Sequence, residues 1–140
     1  MKSLSVKLGV ILIIGLLILG NAEPWLEHWK PYFGNEYFVG AYETQSITRP
    51  SKNIVRVWAR MDFTEKGVLN WVAELGKRYD NLSHVIFLEE INCAEKKSRS
   101  LSQSSYDNKG DVIISSNPPS DWEFIVPESI IESLYKEVCK

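Results

Sequence analysis

Between Asn53 and Phe63 the sequence alternates without a break. Val55, Val57, Ala59, Met61 and Phe63 are apolar, and Ile54, Arg56, Trp58, Arg60 and Asp62 interleave with them. A period of two over that length is the pattern of a β-strand with one buried face, and a one-residue slip would turn the whole apolar set outward. The register of any sheet built on this segment is therefore tightly constrained. Val55, Val57 and Ala59 must face a core, which puts Arg56, Trp58 and Arg60 together on the other face.

The rest of the chain reads around that strand. Glu36 to Tyr42 has the aromatic and β-branched bias of a strand, preceded by a turn at Gly34-Asn35. After Phe63 the period changes: Val68, Trp71, Val72, Leu75 and Tyr79 share one helical face, with closure near Asp80-Asn81. His84 to Cys93 is apolar on both faces through Leu88, the pattern of a central strand. Lys97 to Tyr106 alternates more weakly, Asp107-Asn108-Lys109-Gly110 reads as a hairpin turn, and Val112 to Ser115 is the returning strand. Trp122 to Val126 is extended. Ser129 and Glu132 form a capping box for a last helix that places Ile130 or Ile131, Leu134 and Val138 on one side. Strands joined mostly by turns imply an antiparallel sheet, and a terminal amphipathic helix must bury its stripe against one face of it. The fold class is α+β.

The N-terminus carries a different signal. Lys2 and Lys7 precede an uncharged apolar run from Leu8 to Gly20, followed by Asn21-Ala22 and Glu23. This is the layout of a secretory signal peptide spanning residues 1–22. As a helix the run would rise about 20 Å, short of the roughly 30 Å hydrocarbon core, so membrane contact is expected only if the segment is retained. Residues 23–35 read as a linker and N-terminal segment whose aromatics, Trp25, Trp29 and Tyr32, either anchor it to its own domain or dock onto a partner or membrane surface. Residues 36–140 read as one domain. No cysteine stands directly after the apolar run, so no lipoprotein anchor is expected.

The only cysteines are Cys93 and Cys139. In an exported chain such a pair is read first as a disulfide. It would close a loop of about 46 residues, worth roughly 4 kcal/mol by the chain-entropy argument, and would pin the end of a strand to the end of the last helix. The formal charge of −2, more negative once Lys2 and Lys7 are removed, gives no electrostatic basis for binding nucleic acid.

Several stretches carry a family likeness: Ser46-Ile47, Asn53 to Arg60 (NIVRVWAR), Glu90-Ile91-Asn92-Cys93, Trp122-x-x-Ile125-x-Pro127 leading to Leu134-x-x-x-Val138-Cys139, and the turn Tyr106-Asp107-x-x-Gly110. In these the sequence resembles the bacterial surface-adhesin protein E-like domain family, over most of Tyr42 to Lys140. The resemblance implies a curved antiparallel sheet of about six strands with a C-terminal helix on one face, tethered by a Cys93–Cys139 bond. It further implies extracellular or surface placement, homodimers and, in the best-known members, attachment to host matrix and serum proteins such as vitronectin and laminin. The matched positions read as structural, so no ligand residue is carried over.

Chemistry for catalysis is not visible. His28 and His84 are the only histidines, and HExxH, HxxxH and GxSxG are absent. No cofactor or metal is expected, and the chain reads as non-enzymatic. Glu89 and Glu90, neighbours in a strand, point to opposite faces and cannot act as a pair. Glu89 shares the face of Phe87, Ile91 and Cys93, where a carboxylate is costly unless it pairs with a Lys or Arg or lies at a rim, the alternative being a ligand contact. Arg56, Trp58 and Arg60 read either as cross-strand packing that shields a sheet face or as part of a partner-binding or dimer surface, since Trp and Arg are enriched at binding hot spots and Arg over Trp is a favourable stack. The functional expectation is an exported binding module for an unidentified protein, extracellular-matrix or envelope, at the periplasm or cell surface. The alternative is a periplasmic accessory envelope protein with a bacterial partner.

Overall fold

The computed structural model describes residues 28–117 and 119–140. The expected signal peptide and Trp25 lie outside the described residues. The element order is β1 (Trp29–Gly34), β2 (Phe38–Glu43), β3 (Thr48–Ser51), β4 (Ile54–Phe63), α1 (Glu65–Leu75), β5 (Leu82–Asn92), β6 (Lys97–Asp107), β7 (Val112–Ser116), β8 (Glu123–Phe124) and α2 (Ile130–Val138).

All eight strands belong to one sheet in the order β1-β2-β4-β5-β6-β7, with β3 on β4 and β8 on β6, every pairing antiparallel. Six positions across the sheet hold these eight segments. β2 pairs with Ala59–Phe63 of β4 and β3 with Ile54–Arg56, so the two are successive pieces of one edge, interrupted by a 3-10 turn at Thr44–Ser46. β7 and β8 divide the far edge of β6 in the same way. The expected six-stranded sheet and the observed eight strands thus describe one architecture.

One expectation fails at the N-terminal side. Trp29–Gly34 is not a linker but a strand paired with β2. Its alternation is hidden by Pro31 and by a register shift between Pro31 and Phe33, features that belong to edge strands.

Both helices lie on the face that carries the apolar set of β4. Under α2, Val55, Val57, Ala59, Ile91 and Leu134 are fully buried and are joined by Tyr42, Ile125 and Val138. Of the two alternatives for the first turn of the helix, Ile131 is the residue packed on this cluster. The cap is as expected, with Ser129 Oγ accepting from the Glu132 N–H at 3.2 Å, while the Glu132 carboxylate reaches back to the Glu128 N–H at 3.0 Å. Cys139 caps the other end of α2 and is bonded to Cys93, with 5.6 Å between their Cα atoms. Glu137 adds a second tie, accepting from Tyr42 Oη at 3.1 Å and facing Lys30 Nζ at 3.2 Å.

α1 covers the other end of the face, where Tyr79, Leu82 and Val85 are packed by Phe63, Val68, Trp71, Val72 and Ile113. Thr64 caps it: its Oγ1 accepts from the Gly67 N–H at 3.1 Å and donates to the Glu36 carbonyl at 2.6 Å, drawing the helix onto the turn before β2. The approach is so close that a Cβ on Gly67 would sit 1.9 Å from the Tyr37 carbonyl oxygen. α1 ends at Gly76, at φ +108. Tyr79 reaches the core from a following 3-10 turn, and Leu75, expected on the buried stripe, is 53% exposed.

Candidate interaction surface

Among the described residues, no helix covers the opposite face of the sheet. The register sets Arg56 beside Glu90, Trp58 beside Leu88, Arg60 beside Ile86 and Asp62 beside His84, and continues through Glu90 to Arg99 on β6. The side chains of Arg56, Trp58 and Arg60 therefore share this open face, as their alternation requires. Trp58 is 38% exposed. Its backbone N–H donates to Ser46 Oγ at 3.0 Å, which in turn donates to the Glu43 carbonyl at 2.7 Å, so the 3-10 turn between β2 and β3 is fastened to the middle of β4.

On one side of Trp58 stands a three-residue charge cluster. Glu90, only 2% exposed, accepts from Arg56 Nε and Nη2 at 3.0 and 2.7 Å through one oxygen. Its other oxygen accepts from Arg99 Nε and Nη2 at 2.9 and 2.7 Å. Burial pushes this carboxyl up, but the hydrogen bonds and charges of the two guanidinium groups outweigh it and hold the group below its ordinary range. Arg99 also lies over the Trp122 ring at 4.6 Å. On the other side, Arg60 grips Asp62 at 2.8 and 2.6 Å and lies over Trp29 at 5.4 Å. Nearby, His84 stacks on Tyr106 with 5.0 Å between centroids and its Nδ1 is hydrogen-bonded to Ser83 Oγ. Desolvation, assisted by Arg60, depresses its pKa.

The arrangement is an apolar strip of Trp58, Leu88 and Ile86 between two charged, hydrogen-bonded flanks, the layout of an apolar interface centre with a polar rim. Arg–Trp stacking is present, but the rings are Trp29 and Trp122 rather than Trp58. Glu90, Arg99, Trp122 and Trp29 were not identified from sequence as members of this face. A cross-strand register would have exposed the Arg–Glu–Arg row, because alternating charge across neighbouring strands is a pairing signal.

Glu89 points the other way, as expected. It is 5% exposed, and its one partner among the described residues is the Ser100 hydroxyl, which donates to it. Burial pushes its carboxyl up to about 7. It lines a cleft of 310 Å³ between the two apolar clusters, bounded by Tyr32, Met61, Phe87, Gln103, Ile130 and Ile131. Among the described residues no cluster of His, Cys, Asp and Glu is suited to a metal, and no helix is long and apolar enough to cross a membrane.

The fold is a disulfide-tethered antiparallel sheet with helices on one face and, among the described residues, an aromatic and charged face without a helix. The chain belongs to the surface-adhesin protein E family, whose model matches residues 29–140. Among solved structures, protein E from non-typeable Haemophilus influenzae is similar at 16% identity, covering 80% of this chain and 75% of that one, with a TM-score of 0.50. A second crystal form of Haemophilus influenzae protein E is similar at 18% identity, over 78% of this chain and 91% of that one, also with a TM-score of 0.50. At such identities the likeness concerns the fold alone. No curated protein matches the sequence.

Proposed function

We propose that the chain is an exported, non-enzymatic binding module that uses the open face of its sheet to hold a protein partner at the cell envelope. Residues 1–22 act as its signal peptide, and the partner is an extracellular-matrix or envelope protein. The observation that carries this reading is Trp58. It stands 38% exposed at the centre of a face whose charged flanks are already fixed by their own ion pairs. Arg56 and Arg60 are thus pre-ordered neighbours, so a partner that covers Trp58 meets a surface whose side-chain ordering is largely complete before binding. Membership in a family of surface adhesins supports the same role.

The test is binding of the purified mature domain to immobilised matrix proteins, with and without Trp58→Ala. Truncating a hot-spot tryptophan costs about 2 kcal/mol or more, roughly a thirtyfold loss of affinity, and the variant should melt as the parent does. Binding that is unchanged by Trp58→Ala refutes the assignment. Loss of self-association rather than of matrix binding would make a second copy of the chain the occupant of this face.

A further inference from the structure

The two neighbouring glutamates of β5 are both buried, yet the fold treats them differently. Glu90 receives two guanidinium groups, one on each oxygen. Glu89, equally withdrawn from water, receives one hydroxyl and forms no ion pair among the described residues. A buried carboxylate kept only for structure is normally supplied with a cation, because its ionised form is otherwise expensive. On the cleft side no such cation stands among the described residues, and the space beside the carboxylate is open and mostly apolar.

We propose that the cleft on the helix-bearing face is a binding site for a small organic ammonium ion with an apolar body, its charge set on Glu89. Phe87, Met61 and Ile131 offer the apolar wall and Tyr32 an aromatic ring, while the Ser100 hydroxyl donates to the carboxylate and Gln103 adds a polar side chain to the lining. The 310 Å³ volume is at the small end of ligand pockets, about 300–1,000 Å³, which suits a short alkylamine or arylalkylamine. An anion is excluded by the carboxylate, and a neutral isostere leaves the ionised form unpaired. The site is independent of the open face, which carries the proposed protein-binding role.

Of the residues lining the cleft, only Glu89 and Tyr32 titrate. Burial, then the nearby Glu89, raises the Tyr32 hydroxyl far above its ordinary range, so it stays neutral. The charged groups of the surrounding elements are engaged elsewhere. Lys30 of β1 faces Glu137, Glu132 of α2 faces Lys136, Lys97 of β6 faces Glu95, and Arg99 lies on the opposite side with Glu90. Ammonium binding should therefore follow Glu89 ionisation alone, strengthening as pH rises through about 7.

The experiment titrates the mature domain with phenethylamine and its neutral isostere phenethyl alcohol, by calorimetry and by shifts of the Tyr32, Phe87 and Ile131 signals. At pH about 8.5 the amine is still protonated, and it should bind about tenfold or more tighter than the alcohol. That preference should shrink toward unity at pH about 5, where Glu89 is neutral. Glu89→Gln should abolish the preference at both values, with the fold verified by circular dichroism. Equal affinity for amine and alcohol in the parent, a preference that survives Glu89→Gln, or no shift at those three residues in tens of millimolar amine would each overturn the proposal. Because the parent's own pH profile is a separate readout, the outcome does not depend on the variant alone.

Discussion

Glu89→Gln also tests the electrostatics of the fold without any ligand. The parent carboxyl is moved from an ordinary 4.5 to about 7 by burial, with the Ser100 hydroxyl offsetting only part of the rise. Such a displacement corresponds to about 3 kcal/mol against the ionised form. The sign follows from proton counting. Between about 4.5 and 7 the folded state holds a proton that the unfolded chain has released, so stability falls as pH rises through that window. Above about 7 the full cost is present; below 4.5 it vanishes. A glutamine cannot ionise, keeps an oxygen for Ser100, and places its amide in a cleft that water reaches. Any cost of the amide itself does not vary with pH. The variant should therefore gain on the parent by about 3 kcal/mol between pH about 4 and pH about 8, equivalent to roughly 10 °C in melting temperature for a domain of this size. Urea denaturation of both proteins across that range gives the difference directly. Parallel stability profiles would refute the claim that Glu89 is buried without a cation.

Three further outcomes follow from the same structure. Glu90→Gln should destabilise the domain by about 2–4 kcal/mol at neutral pH, a figure already discounted for the partial exposure of Arg56 and Arg99. Because the folded pKa of Glu90 is depressed, that advantage is present above the unfolded value and fades as pH falls through the folded one, so the two proteins should converge in acid; a constant difference would contradict the pairing. Gly67→Ala should lower stability by about 2 kcal/mol in urea denaturation despite the helix-propensity gain of about 1 kcal/mol, because the new Cβ would meet the Tyr37 carbonyl at 1.9 Å, and a stabilised variant would show that α1 does not sit where described. Replacing Cys93 and Cys139 with serine should cost about 2–4 kcal/mol, and reductant should lower the melting temperature of the parent but not of the double variant.

How much of this was legible in the sequence depended on how local each cause is. The alternation of β4 and the stripe of α2 are written into consecutive residues, so Val55, Val57, Ala59, Leu134 and Val138 were assigned to the core correctly, and the cap at Ser129 with them. Strand β1 was missed because Pro31 and the shift after it break the alternation, leaving Trp29–Gly34 to read as a linker. Leu75 fits the helical period but falls in the turn where Gly76 takes the chain away from the sheet, so it is exposed while Tyr79 is buried. The partners of the open face needed the register. Arg56 meets Glu90 across β4 and β5, and Glu90 meets Arg99 across the β5–β6 hairpin, pairings that the alternation within a single strand does not reveal. The cleft is more remote still, since Tyr32 comes from the first strand and Ile131 from the last helix. Sequence marked Glu89 as costly, but only the fold shows that, among the described residues, it receives a hydroxyl and no cation.

The central claim, that this is an exported domain presenting its open face to a partner outside the cell, is tested most directly by protease treatment of intact cells followed by detection of the mature chain. The domain should be removed from the surface while a periplasmic marker survives. Protection of the domain until the envelope is permeabilised would contradict surface display and leave a periplasmic accessory role as the better account.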